Sequence, residues 1–308
     1  MDAIINQGRS WLVGLEWLAG MAVAFGLLAW LMPCNRGMAW WKDLRGFATD
    51  LVYWFFMPLV FRNGRTLMLW AGVLLLYGGR EPQCLPVKSW PLWQQCLAVL
   101  LIQDFLMYWI HRAFHDRMAW KFHAIHHSPK VLDWLATTRF HPVNSLLEFA
   151  LVDVAVVLLG FSPGTVIALS PFNLLYSAMV HANLNWTFGP LRHVLASPVF
   201  HRWHHTTLPA AIDKNFAPTF PILDVMFGTF YMPAGRRPEQ FGNGESDFPV
   251  GFWGQMLYPF DEPRRQVASD APVPMPHLKE FGGRKAVECA DGPVEAMNDS
   301  ETVLTSRQ

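Results

Sequence analysis

Apolar runs and polar interruptions alternate along the chain at lengths suited to helices in a bilayer. Trp17–Pro33 is an uncharged run of 17 residues that extends back to Trp11 across Glu16. A hydrocarbon core needs roughly 20 residues of helix, so this run predicts a transmembrane helix. A cleaved leader fits poorly, since only Arg9 precedes the run and Met32-Pro33-Cys34-Asn35 makes a weak cleavage site. Phe47–Phe61 is apolar apart from Asp50, Arg62-Asn63-Gly64-Arg65 reads as a turn, and Thr66–Tyr77 is apolar again. These two stretches predict a helical hairpin, tilted or re-entrant because each half is short. After a Pro- and Gly-containing loop at 79–92, Cys96–Ile110 predicts an apolar helix that runs into His111 and His115. Residues 116–144 are polar, and Pro129 is expected to end any helix before it. Leu146–Val180 is apolar and broken at Gly160-Phe161-Ser162-Pro163-Gly164, which predicts a second hairpin with His181 at its exit. Residues 182–231 are mixed, and Pro209 is expected to close a helix there.

The fold class expected from this pattern is an all-α integral membrane protein, with transmembrane helical hairpins and a cytosolic helical cap. Anchoring helices would occupy 1–94, a histidine-bearing domain 95–235, a cap extension 236–261, and a disordered tail rich in Pro, charge and small residues 262–308. Composition agrees. Of 308 residues 52% are hydrophobic and only 16% charged, with 15 Trp and 23 Phe, an aromatic load suited to membrane interfaces. The formal net charge is zero, which gives no basic field for nucleic acid. Lys and Arg are dense around the polar segments, which by the positive-inside rule places them on the cytoplasmic side of a bacterial cytoplasmic membrane or endoplasmic reticulum. Cys34, Cys84, Cys96 and Cys289 form no CxxC pair and read as free thiols.

The polar segments carry the chemistry. Eleven of the twelve histidines lie between 111 and 205, in clusters at His111/His115, His123/His126/His127 and His201/His204/His205. The last two repeat Phe-His-x-x-His-His, from Phe122 and Phe200. On a helix, positions i, i+3 and i+4 share a face, so each cluster directs its imidazoles one way. A lone histidine is usually a satisfied polar residue, but three clusters at helical spacing are not explained so simply. Eight convergent imidazoles exceed one tetrahedral zinc and suit two metal ions side by side. Bundle di-iron proteins use Glu and Glu-x-x-His sets, whereas Glu148 is the only glutamate between 101 and 231. An all-imidazole set leaves metal charge uncompensated, so Asp104, Asp133 and Asp224 are candidate outer partners, and Asp104 is expected to orient a ligand histidine. Among the isolated histidines, His181 ends an apolar helix as His111 nearly does and is expected to be a direct ligand. His141, held extended by Pro142, is expected in the outer shell. His193, beside Arg192, is expected outside the site.

Asp104-Phe-Leu-Met-Tyr-Trp-Ile-His111-Arg-Ala-Phe-His115, Phe122-His-Ala-Ile-His-His127 and Arg139-Phe-His-Pro142 resemble the sterol desaturase and fatty acid hydroxylase superfamily. So do His181-Ala-Asn183, Phe200-His-Arg-Trp-His-His205, Asn215-Phe-Ala-Pro-Thr-Phe and Asp224-Val-Met-Phe-Gly-Thr229, the whole spanning about residues 95–235. The resemblance implies a membrane di-iron oxygenase that uses O2 to hydroxylate or desaturate a C–H bond of a lipid (sterol, fatty acyl lipid, ether lipid or carotenoid). The family's ligand roles fall on the eight clustered histidines with His181 as the ninth, and zinc is able to replace the two Fe ions. Some members carry a glutamate after the His-Pro where this chain has Asn144. No GxGxxG, haem-ligand motif or Cys-rich set is present, so a separate electron donor is implied: a ferredoxin, a cytochrome or a reductase. The competing readings are a zinc-dependent membrane hydrolase, which lacks His-Glu-x-x-His here, and a membrane metal carrier, which would place its ligands at mid-depth in the spanning helices.

Overall fold

The computed structural model describes residues 2–78 and 86–261. The expected tail at 262–308, Cys84, Cys289 and residues 79–85 of the 79–92 loop lie outside the described residues. Among the described residues every regular element is helical. The α-helices are α1 (Asp2–Leu31), α2 (Leu44–Leu59), α3 (Arg65–Tyr77), α4 (Leu92–Phe114), α5 (Arg117–His123), α6 (Pro142–Leu158), α7 (Pro163–Ala168), α8 (Ser170–His181), α9 (Pro198–His204), α10 (Ile222–Met226) and α11 (Phe252–Leu257). Among the described residues three stretches are long and apolar enough to cross a membrane: Gly14–Leu31, Leu92–Phe114 and Pro163–His181.

α4 shows why these helices suit lipid. Leu97, Leu101, Phe105 and Trp109, four residues apart, are all exposed, while Val99, Gln103, Asp104, Tyr108 and His111 are buried. The apolar stripe faces out and the polar groups face in, the reverse of a helix in water. At 1.5 Å per residue this helix is roughly 35 Å long, enough for a hydrocarbon core.

The first hairpin expected from sequence does not form. The backbone stays helical from α2 through a π-helical stretch at Val60–Gly64 into α3, and Gly64 itself has φ −65° and ψ −46°. Gly64 serves close packing instead of a turn: a Cβ there would lie 2.5 Å from Leu146 of α6, and one at Gly72 would lie 3.1 Å from Val154. Two glycines eight residues apart let this helix approach α6. The break within Leu146–Val180 does occur as expected. Gly160 takes φ 98°, and Ser162 caps α7 by accepting a hydrogen bond from Thr165 N (3.1 Å). The third cluster's helix, however, ends at His204, ahead of Pro209, which begins a short 3-10 turn.

Two buried arginines join these helices to the histidine segments. Arg139 donates to Asp50 Oδ1 of α2 (2.6 Å), to Gly46 O (2.9 Å) and to Ser128 Oγ (3.2 Å). Arg202, between two clustered histidines, donates to Leu132 O (2.8 Å), His181 O (3.2 Å) and Asn35 Oδ1 (2.6 Å). The end of α1 is tied to the stretch after α8 by Asn185 N to Met32 O (2.9 Å) and Cys34 N to Asn183 O (3.2 Å). Cys34 and Cys96 are free thiols.

The Asp50–Arg139 pair generates a stability prediction. Asp50→Ala leaves a buried guanidinium without its carboxylate and is expected to cost about 3–5 kcal/mol. Asp50→Leu combined with Arg139→Met removes both charges and is expected to recover most of that loss. Thermal unfolding of the detergent-solubilised variants measures both. A double variant as unstable as Asp50→Ala contradicts the charge-pair account.

Candidate metal centre

Each histidine cluster is set by a short local structure. His111 lies in the last turn of α4, and His115 caps that helix. Asp116 then opens α5 by accepting from Met118 N (3.1 Å), and α5 ends at His123. His126 and His127 follow in tight turns, not on a continuing helix, with His126 N bonded to His123 O (2.8 Å). Ser197 caps α9 by accepting from Phe200 N (3.2 Å), Pro198 fills its first turn, and His201, His204 and His205 follow.

Nine imidazoles meet in two groups. His111, His115, His123, His127 and His204 form one, and His126, His181, His201 and His205 the other; within each, ligand nitrogens all lie within 4.8 Å of one another. The two Phe-His-x-x-His-His motifs are divided in opposite senses. The first sends its i and i+4 histidines to the five-membered group and its i+3 histidine to the four-membered one. The second does the reverse. The turn after His123 keeps helical spacing, with His127 N bonded to His123 O (3.3 Å), and this spacing separates the members of each motif: i and i+4 lie about 40° apart around the axis, whereas i+3 lies about 100° from i+4.

Oxygen acceptors fix the outer nitrogens. His111 Nδ1 donates to Phe216 O (2.7 Å), His204 Nδ1 to Lys214 O (2.8 Å) and His115 Nδ1 to Asp213 Oδ1 (3.0 Å). His123 Nδ1 donates to Asn144 Oδ1 (3.0 Å), His126 Nδ1 to Arg139 O (3.3 Å) and His181 Nδ1 to Ser177 O (2.6 Å). A carbonyl only accepts, so a neutral ring bonded in this way carries its proton on Nδ1 and turns an unprotonated Nε2 inward.

The inner nitrogens then face one another. His111 Nε2 is 3.1 Å from His123 Nε2, and His181 Nε2 is 3.2 Å from His126 Nε2 and 3.0 Å from His201 Nε2, which is itself 3.0 Å from His205 Nε2. The Nε2 atoms of His115, His127 and His204 are buried without any hydrogen-bond partner. Opposed lone pairs at this distance repel unless a cation lies between them. A metal–nitrogen bond of about 2.1 Å puts neighbouring ligand atoms about 3.0–3.4 Å apart, the spacing seen here. The donor set therefore fits two metal ions, one per group.

Protonation does not offer an alternative. Burial first, then the neighbouring imidazoles, hold His123, His126, His127, His201, His204 and His205 well below the usual histidine range.

Several expected outer partners act one step further away. Asp104 touches no imidazole; it accepts from Thr219 N (2.7 Å) and Phe220 N (3.0 Å). Asp224 accepts from Phe216 N (2.7 Å), Ala217 N (2.9 Å) and Thr229 Oγ1 (2.6 Å), and burial raises its carboxyl. Both hold the 213–220 loop, which offers Asp213, Lys214 O and Phe216 O to three of the rings. Asp133 caps Trp134 N (2.7 Å). His141 is not in contact with the groups. Its Nδ1 accepts from Val143 N (3.1 Å) at the start of α6, and its Nε2 faces Met256 O (3.3 Å), so the residue serves as a helix cap. His193 lies outside both groups, its ring 4.8 Å from that of Phe230.

The direct partners not anticipated are Asp213 and Asn144. Asp213 sits in the left-handed region (φ 56°) beside Lys214 and has the local appearance of a solvated loop charge. Asn144 is fully buried, and its Nδ2 donates to Glu148 Oε1 (2.8 Å), so Glu148 reaches His123 through an amide.

Comparison with known proteins agrees with this arrangement. Residues 96–229 match the fatty acid hydroxylase family. An ornithine lipid hydroxylase of Rhizobium tropici is 31% identical over 180 residues, 58% of this chain and 54% of the relative. An alkylglycerol monooxygenase of Xenopus tropicalis is 35% identical over 144 residues, 46% of this chain and 31% of the relative. A Delta(7)-sterol 5(6)-desaturase of Gibberella zeae is 29% identical over 135 residues, 44% of this chain and 37% of the relative. The chain thus spans about half or less of the length of these relatives, and no solved structure matches it.

The neutral imidazoles predict a pH dependence of stability. In the metal-free protein these six rings bind no proton when folded and one each when unfolded below about pH 6.5. Stability then rises with pH up to that point and is level above it. Apparent melting temperature in detergent with chelator is expected to be flat from pH 8 to 7 and to fall steeply from 6.5 to 5.5. A flat profile through 5.5 contradicts the assignment of buried neutral rings.

Proposed function

Residues 96–229 are a domain of the fatty acid hydroxylase family, and on that premise we propose that the chain is a membrane-bound non-haem di-iron oxygenase that hydroxylates a C–H bond of a membrane lipid. The observation that carries this reading is the convergence of nine imidazoles in two groups at one end of helices long enough to cross a bilayer. Hydroxylation is favoured over desaturation because the relatives include an ornithine lipid hydroxylase and alkylglycerol monooxygenases. Two iron ions held here would supply the activation of O2, with one oxygen atom going to the C–H bond and the other leaving as water.

The chain's own groups have defined tasks in this reading. The nine histidines hold the ions through Nε2. Phe216 O, Lys214 O, Asp213, Asn144, Arg139 O and Ser177 O keep the Nδ1 protons in place, so the rings neither rotate nor change tautomer. Among the described residues Asp213 is the one carboxylate hydrogen-bonded directly to a clustered ring, and it offsets part of the metals' charge through His115. Half-buried aromatic rings shield the groups: Phe140 stacks on His126 with centroids 4.0 Å apart, and Trp120 lies 5.2 Å from both His115 and His127. Each turnover consumes two electrons, which we assign to a separate ferredoxin, cytochrome or reductase. The catalytic domain is taken as 95–235 with anchoring helices before it and an extension at 236–261. Its histidine end lies on the cytoplasmic side, where the basic residues are dense.

Two other readings fare worse. A zinc hydrolase needs a carboxylate base beside the metal, and among the described residues no Asp or Glu oxygen belongs to either group. A metal carrier needs ligands at mid-depth, whereas His111 lies in the last turn of α4 and His181 is the last residue of α8.

Lipids extracted from cells with and without the gene, grown under 18O2, test the proposal. The expected product is a lipid heavier by one oxygen atom that carries the label, absent from cells expressing His126→Ala. Label-free product, or unchanged turnover by His126→Ala, would count against an oxygenase at this centre.

A further inference from the structure

A cavity of about 420 Å³ opens beside α9, and none of the nine clustered histidines lines it. It is lined by the loop that includes Arg192 and His193, by the segment from Met232 to Arg237, and by Val199 of α9. No Asp or Glu lines it. Arg237 spends its hydrogen bonds on neutral acceptors, Asn185 Oδ1 and Arg236 O (2.9 Å). Arg192 has no hydrogen bond or ion pair with any of the described residues. Two half-buried guanidiniums thus share a recess with nothing negative in it. The loop is also shaped at some cost, since Phe188 adopts positive φ (57°), a conformation an aromatic residue keeps only where its surroundings impose it.

The position of the cavity is the second observation. Arg237 bonds to Asn185, whose backbone N–H bonds to Met32 O, one residue beyond the end of the Gly14–Leu31 span. Trp30 is 78% exposed there, as a residue at a bilayer interface would be. Leu191 and Val194, on the cavity's own loop, are exposed as well. The recess therefore opens at headgroup level, with apolar side chains beside it and cationic ones within it. Its volume falls in the range of small-molecule sites, and paired guanidiniums suit a phosphate.

We propose that this cavity binds the phosphate of an anionic membrane lipid, at a site separate from the histidine centre. The shared chemistry is a phosphate anion, and the lipid is its source because the cavity adjoins a spanning helix and carries exposed apolar side chains. Full-length protein in neutral detergent, examined by native mass spectrometry, provides the test. Dioleoylphosphatidylglycerol is expected to bind about tenfold more tightly than dioleoylphosphatidylcholine. Arg192→Gln with Arg237→Gln is expected to abolish that preference while metal content and melting temperature stay unchanged. Arg117→Gln with Lys130→Gln, exposed cations elsewhere, should retain it. If the double variant does not fold, Arg192→Gln alone removes no internal hydrogen bond and is expected to lose about fivefold. Equal binding of the two lipids, or a preference that survives both arginine substitutions, overturns the proposal. Inorganic phosphate that displaces the lipid at equal concentration overturns the lipid as the source.

Discussion

The structure depends on one constraint: each clustered histidine must keep its proton on the outer nitrogen and its lone pair on the inner one. Six rings meet this by donating Nδ1–H to a carbonyl, amide or carboxylate oxygen. Once these bonds are made, lone pairs stand about 3 Å apart in a buried site, an arrangement that is unfavourable until cations enter it. The fold supplies the rigidity that keeps the rings from relaxing away. The 213–220 loop serves three rings, and it is anchored by the buried carboxylates of Asp104 and Asp224 through backbone N–H groups. Arg139 and Arg202 anchor the remaining ring-bearing segments to α2, to the end of α1 and to the chain at Leu132.

Helices suited to a membrane make this possible in a chain of modest size. Their apolar faces need no protein partner, so α4 is free to turn Gln103, Asp104, Tyr108 and His111 inward along one line. The polar line leads from the helix interior to its histidine end. Spanning helices and metal centre are thus two consequences of one outward-apolar pattern.

Much of the centre was legible in the sequence because its signals are local. The spacing within each His cluster survives into the structure, although the second cluster leaves its helix after His123, and His181 joins the four-membered group as its position suggested. The separation of i+3 from i and i+4 in both Phe-His-x-x-His-His motifs follows helical phase, whereas which group each motif feeds is set by the fold. The outer acceptors were not legible for a physical reason. Four of the six are backbone carbonyls, which leave no mark on residue type, and Asp213 has the local context of a solvated charge. Asp104 and Asp224 carried a true signal, buried acids near histidines, but their partners are N–H groups distant in sequence. His141 and Pro142 mark the start of a helix. Asn63-Gly64 reads as a turn because glycine there is ambiguous between reversal and close packing, and only the position of Leu146 on α6 resolves it.

The most direct test of the central claim is the metal content and X-ray absorption of the iron-loaded protein, alongside His181→Gln and His141→Gln. The account predicts two ions per chain, each with a shell of between four and five imidazole nitrogens at about 2.1 Å and no sulfur. His181→Gln should fall toward one ion, and His141→Gln should keep two. Active protein with a single ion, a sulfur-containing shell, or two ions retained by His181→Gln would contradict it.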